Sequence, residues 1–92
     1  MKYYAVLLPM KDLEKSKLHR QAHLDFLEEQ RHAGHIFMYG RMADDAGGLL
    51  IYQGEDLETV DAIAKEDPYI TLGARDYIIH EWFMQTDYQI VK

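Results

Sequence analysis

The chain has 92 residues, 48% of them hydrophobic, with seven Tyr, three Phe and one Trp, which supplies one core and leaves no length for a second. It contains no Cys, so thiol catalysis, Cys-ligated zinc and disulfide scaffolds are excluded together. A formal charge of −6 with ten scattered basic residues argues against a nucleic-acid surface, because phosphate contacts need clustered Lys and Arg.

The opening MKYYAVLLPMKD holds an apolar run of only six residues, short of a secretory h-region, and no stretch approaches the roughly 18 apolar residues of a membrane span. The expectation is a soluble, cytoplasmic, single domain over 1–92 that neither enters a membrane nor binds nucleic acid. Residues 2–8 are apolar on both alternating sets, so they form a strand covered on both faces, ended by Pro9. From about Asp12 to Ala33 good helix formers run without Gly or Pro, and Gly34 stands at the C′ position. At about 100° per residue, Leu18, Ala22, Phe26, Leu27 and Ala33 share one side, with Asp25, Glu28, Glu29 and His32 mostly on the other. Residues 35–42 form a second strand, 44–48 a hairpin turn, and 49–53 a third strand closed by Gly54. Asp56 caps a second helix whose stripe is Leu57, Val60, Ile63 and Ala64. Residues 75–84 make a fourth strand, and 87–92 a short further strand or a frayed end.

The order βαββαβ is that of an α+β, ferredoxin-like unit: a four-stranded antiparallel sheet with two helices on one face, since right-handed crossovers place both helices together. Neither alternating set of strand one, nor of strand four, is polar, so the helix-free sheet face is also apolar. A second copy of the chain is its simplest cover, which predicts a homodimer through that face.

Two features carry chemistry. KEDPYITLG, 65–73, places Asp67 near the end of a helical pattern, where the helix dipole disfavours a carboxylate by about 0.3–1 kcal/mol. Pro68 pushes Asp67 toward extended angles. Asp-Pro reads either as a plain stop signal or as a device that turns the carboxylate into a cleft. Among five histidines, His19 and His23 stand four apart on one side of the long helix, a zinc-compatible spacing that lacks a third ligand, so no metal is expected. His23 is either a core-edge histidine bonded to backbone or, if the folded helices bring it to Asp67, an imidazole whose tautomer and basicity that carboxylate sets. His32, His35 and His80 receive no role.

Arg20-x-x-His23-Leu24, Gly34, Gly40, the Gly47-Gly48 turn, Asp67-Pro68-Tyr69, Gly73 and Trp82 together resemble the YciI-like (YCII-related) family over residues 2–84. The resemblance implies a ferredoxin-like subunit, a dimeric α/β barrel, and a pocket with an acid–base His and Asp, which match His23 and Asp67. It also implies cofactor-free lyase or isomerase chemistry on a small organic molecule, one branch of the family removing HCl from a chlorinated hydroxyquinone. Arg41 stands where the family usually has proline after Gly40, and Gly48-Leu49 replace a polar residue after the turn. Arg20 and Arg41 would suit an anionic ligand if they point inward, or are solvated; Tyr69 bonds a ligand or packs with its hydroxyl outward. The alternatives to an enzyme are a non-catalytic metabolite-binding or accessory dimer, and a purely structural dimer.

Overall fold

The structure, a computed structural model, describes residues 1–86; the expected tail element at 87–92 lies outside them. Its sheet is formed by β1 (Lys2–Pro9), β2 (Ile36–Arg41), β3 (Gly47–Gly54) and β4 (Ile78–Trp82), in the order β2-β3-β1-β4 with every neighbouring pair antiparallel. The crossovers carry α1 (Leu13–Leu18) with α2 (Arg20–His32), and α3 (Leu57–Ala64) with α4 (Pro68–Thr71). This is the ferredoxin-like βαββαβ arrangement, with each crossover helix broken in two.

One alternate set of β1, Tyr4, Val6 and Leu8, is buried against Leu27 of α2, Val60 and Ala64 of α3, and Tyr69 of α4, so the helices share one face of the sheet. Full burial of side chains this size contributes roughly 1.5–3 kcal/mol each. The other set, Tyr3, Ala5 and Leu7, pairs in register with Leu49, Ile51 and Gln53 of β3 and with Ile78, His80 and Trp82 of β4. That face carries no helix, and Met38, Ile78 and Trp82 on it are exposed.

The expected single helix over 12–33 is two. α1 is capped by Asp12, whose carboxylate accepts from Lys15 N at 3.0 Å, and the chain turns at His19 (φ −102°, ψ 11°) before α2 begins. In an unbroken helix Arg20 N–H would use the Ser16 carbonyl; here the Tyr69 hydroxyl donates to that carbonyl at 3.0 Å, and a side chain entering the backbone ladder is a recognised cause of a kink. The break also redirects the buried stripe. Leu18, Ala22 and Ala33 are exposed, and the residues α1 and α2 bury are Ser16, His23 and Leu27.

Asp67 differs from expectation in a second way. α3 ends at Ala64, and Asp67 lies three residues beyond it as the N-cap of α4, with φ −57° and ψ 128° and Pro68 at the first helical position. Its carboxylate therefore sits at a helix start, where a negative charge is favoured, and the supposed dipole penalty does not arise. β4 starts at Ile78 rather than at 75, because Arg75 N–H bonds back to Tyr69 O at 3.0 Å and Asp76 N–H to Pro9 O at 3.0 Å before the strand pairs with β1. The β2–β3 turn falls before residue 47, so Gly47 and Gly48 open β3. Gly47 has φ +139°, and a Cβ there would stand 2.2 Å from Leu8 O, so only glycine fits.

Candidate active site

α2 packs against β2 and α4 and borders a cavity of about 250 Å³ at the end of the sheet where β1 finishes and β3 begins. Leu8, Leu27 and Leu50 line its apolar part; His23, Tyr39 and Tyr69 line its polar part, and Arg20, Arg41 and Arg75 add three guanidinium groups.

His23 is 8% exposed and Asp67 1%. His23 Nδ1 lies 2.8 Å from Asp67 Oδ1 and 3.0 Å from Oδ2. An ionised carboxylate only accepts hydrogen bonds, so the proton of a neutral His23 is on Nδ1 and the lone pair is on Nε2. Nε2 makes no hydrogen bond to any described residue, and it belongs to a ring that lines the cavity. Asp67 Oδ1 also accepts from Tyr69 N at 2.9 Å, so one carboxylate caps α4 and orients the imidazole. The Tyr69 ring is stacked on His23, with centroids 3.8 Å apart and planes inclined by 11°. Three contacts thus hold one ring in one rotamer, and all three come from the Asp67-Pro68-Tyr69 corner.

Tyr69 is buried, and its hydroxyl donates to Ser16 O, so it neither lies at the surface nor has its proton free for a ligand. Arg20, from the first turn of α2, and Arg41, from the end of β2, are exposed and flank the cavity. His19 is half-buried and lines no part of it. Among the described residues no group of three or more His, Asp or Glu side chains could hold a metal ion.

Three lining or supporting residues were absent from the sequence expectations. Arg75 is 8% exposed; its Nε donates to Ser16 Oγ at 3.0 Å, its Nη1 to Leu8 O at 3.4 Å, and its guanidinium carbon lies 4.4 Å from the Tyr69 ring centroid. Burial lowers its pKa, partly offset by Tyr69 and Asp67. Ser16 is buried and passes its own hydroxyl proton to Ala74 O at 3.3 Å. Tyr39 donates to Glu28, and that bond raises the Tyr39 pKa. The Arg31 and Tyr39 bonds hold the Glu28 carboxyl down at about 2. Nothing local marks these residues: a lone Arg at a strand start and a Ser inside a helix read as solvent-facing unless the long-range contacts are known.

A small α+β domain with a buried His–Asp pair beside an arginine-rich cavity is the class that fold and site define together. The YCII-related domain model matches residues 1–83, and the chain belongs to that family. No curated protein sequence matches the chain. Among solved structures it is similar to 5-chloro-2-hydroxyhydroquinone dehydrochlorinase from Burkholderia phenoliruptrix, in complex with 2,5-dihydroxybenzoquinone. The two are 22% identical with a TM-score of 0.74, over 87% of this chain and 92% of that one. At that identity the likeness establishes a common fold.

Proposed function

We propose that this protein is a cofactor-independent enzyme of lyase or isomerase type, in which His23 is the general base and Asp67 its orienting partner. The observation that carries the reading is the 2.8 Å contact between the two buried groups, with the other imidazole nitrogen left unbonded beside a cavity. Nε2 takes a proton from the bound molecule, and Asp67 stabilises the imidazolium that forms. In an elimination the electron pair of the broken bond then expels a leaving group; in an isomerisation the proton returns at another position. Neither route needs an electron acceptor or a metal ion.

The cavity is smaller than the roughly 300–1,000 Å³ of drug-sized ligand sites, which suits a substrate of one small ring. Arg20 and Arg41 at its edge suit an anionic one, and Tyr69 supplies a packing surface. The similar dehydrochlorinase binds a molecule of this kind, which supports the reading without fixing the substrate. A homodimer joined through the apolar outer sheet face completes the proposal, supported by the exposure of Met38 (53%) and Trp82 (43%) there.

The test is turnover. A thermal-shift panel of small cyclic carboxylates and hydroxyquinones selects ligands, which are then assayed with the wild type, His23→Asn and Asp67→Asn. Asn at 23 can still donate to Asp67 but has no basic nitrogen, so activity should fall about 10²–10⁴-fold with the fold kept. Unchanged turnover in His23→Asn rules the mechanism out; binding without any turnover in the wild type leaves a metabolite-binding module.

A further inference from the structure

The cavity holds a cation that the acid–base pair does not use. Arg75 is more than nine-tenths buried, yet its two hydrogen-bond partners, Ser16 Oγ and Leu8 O, are both neutral. Among the described residues no carboxylate lies within ion-pair distance of it; Asp67 and Asp45 act on it only from farther away. A guanidinium has five N–H donors, and Nη2 donates to no described residue. Among the described residues no Asp or Glu lines the cavity, which holds three arginines in a chain whose net charge is −6. Burying a charge without a counter-charge is unfavourable unless another group completes it. The Asp67 carboxylate is not that group: it makes no hydrogen bond to the guanidinium, and its bonds go to His23 and to Tyr69 N.

We propose that Arg75 is the anion-binding residue of this cavity: it receives the carboxylate or ionised ring hydroxyl of a small planar molecule whose apolar part lies against Leu8, Leu27 and Leu50. Arg20 and Arg41 draw the anion in from the edge, where solvent weakens them, and Arg75 binds it where water is excluded and a paired fork is strongest. The inference deepens the proposed function and rests on it for the reaction, though not for the binding. A proton taken by His23 leaves its electron pair on the bound ring, and the buried guanidinium stabilises the oxygen on which that charge collects.

Benzoate and benzamide, planar molecules of similar shape that differ in charge, are the probes, with 2,5-dihydroxybenzoquinone as a third. Affinities are measured by calorimetry, and the side-chain Nε–H resonances of Arg20, Arg41 and Arg75 are followed by NMR. The wild type should bind benzoate at least tenfold more tightly than benzamide, and benzoate should move the Arg75 resonance. Arg75→Met should weaken benzoate ten- to a hundredfold and leave benzamide unchanged, with Arg75→Lys in between. Arg75→Met also removes the bonds to Ser16 and Leu8; if it does not fold, the wild-type resonances and the charge preference decide. Equal affinity for the two probes, no binding of any of the three, or a shift confined to Arg20 and Arg41 overturns the proposal. His23→Asn separates the two claims: benzoate affinity should survive in that variant although turnover is lost. Benzoate binding at Arg75 in a wild type that turns nothing over would end the acid–base reading and leave this one standing.

Discussion

At the scale of single residues, the site depends on a carboxylate that is almost wholly withdrawn from water. Asp67 accepts from His23 and from Tyr69 N, so truncating its partner strands a buried charge. His23→Ala should therefore lower stability by about 1–3 kcal/mol, whereas His23→Asn, which keeps a donor toward Asp67, should lose much less. Thermal unfolding of the two variants checks this, and equal losses would show that the bond contributes little to stability. Tyr52 presents the opposite case. It is fully buried in the core, and its hydroxyl has no partner among the described residues. Tyr52→Phe removes a desolvated group and should leave the melting temperature unchanged or raise it, since such a group destabilises by about 1–3 kcal/mol. Burial, then the Asp67 charge, push the Tyr52 pKa well up. A raised pKa gives stability that is complete below the tyrosine's unfolded value near 10 and is lost as pH rises beyond it. The wild type should therefore weaken more steeply above about pH 10 than Tyr52→Phe does.

At the scale of elements, one link beside the cavity joins a helix to the sheet and a second joins two strands. Tyr39 of β2 donates to Glu28 of α2, which also receives Arg31. These bonds depress the Glu28 pKa to about 2, so the stability they supply is present above the ordinary carboxylate range and lost as pH falls toward 2. Acid unfolding should thus be shallower in Glu28→Gln than in the wild type between about pH 4.5 and 2. The second link is the close approach of β1 and β3 at Gly47. With φ +139° and Leu8 O in the path of any Cβ, Gly47→Ala should destabilise by about 1–3 kcal/mol from the backbone alone. The displaced Leu8 carbonyl is an acceptor for Arg75, so benzoate affinity should fall as well. The helix break at His19 belongs to this scale too. Good helix formers run unbroken through 12–33, and the break becomes visible only when Tyr69, 53 positions away, donates to Ser16 O.

At the scale of the whole molecule, the outer face of the sheet carries no helix and exposes Met38, Ile78 and Trp82. Its register is continuous across three strands, from Leu49 and Ile51 through Leu7 and Ala5 to Ile78 and His80, with Tyr3 between Gln53 and Trp82. If two copies meet there as proposed, light scattering at micromolar concentration gives twice the chain mass, and Trp82→Glu with Ile78→Glu gives the mass of one; a wild-type monomer would remove the dimer. None of the described helices is long and apolar enough to cross a membrane.

The strand and helix order was legible because the short unbroken apolar run of β1, ended by Pro9, and the Val60–Ala64 stripe of α3 are local patterns that mark element type. The His23–Asp67 juxtaposition could be suspected from the sequence, since Pro68 forces extended angles on its neighbour wherever it stands. Which residues α2 buries was not legible. His23 is one of the two residues that α2 buries because a carboxylate 44 positions away satisfies its nitrogen. Arg75 is inside because Ser16, Leu8 and Tyr69 meet it there. Periodicity scores a polar side chain as solvent-facing, and that score reverses only when a distant partner takes over the hydrogen bonds that water would otherwise make; such partners exist only once the chain has folded.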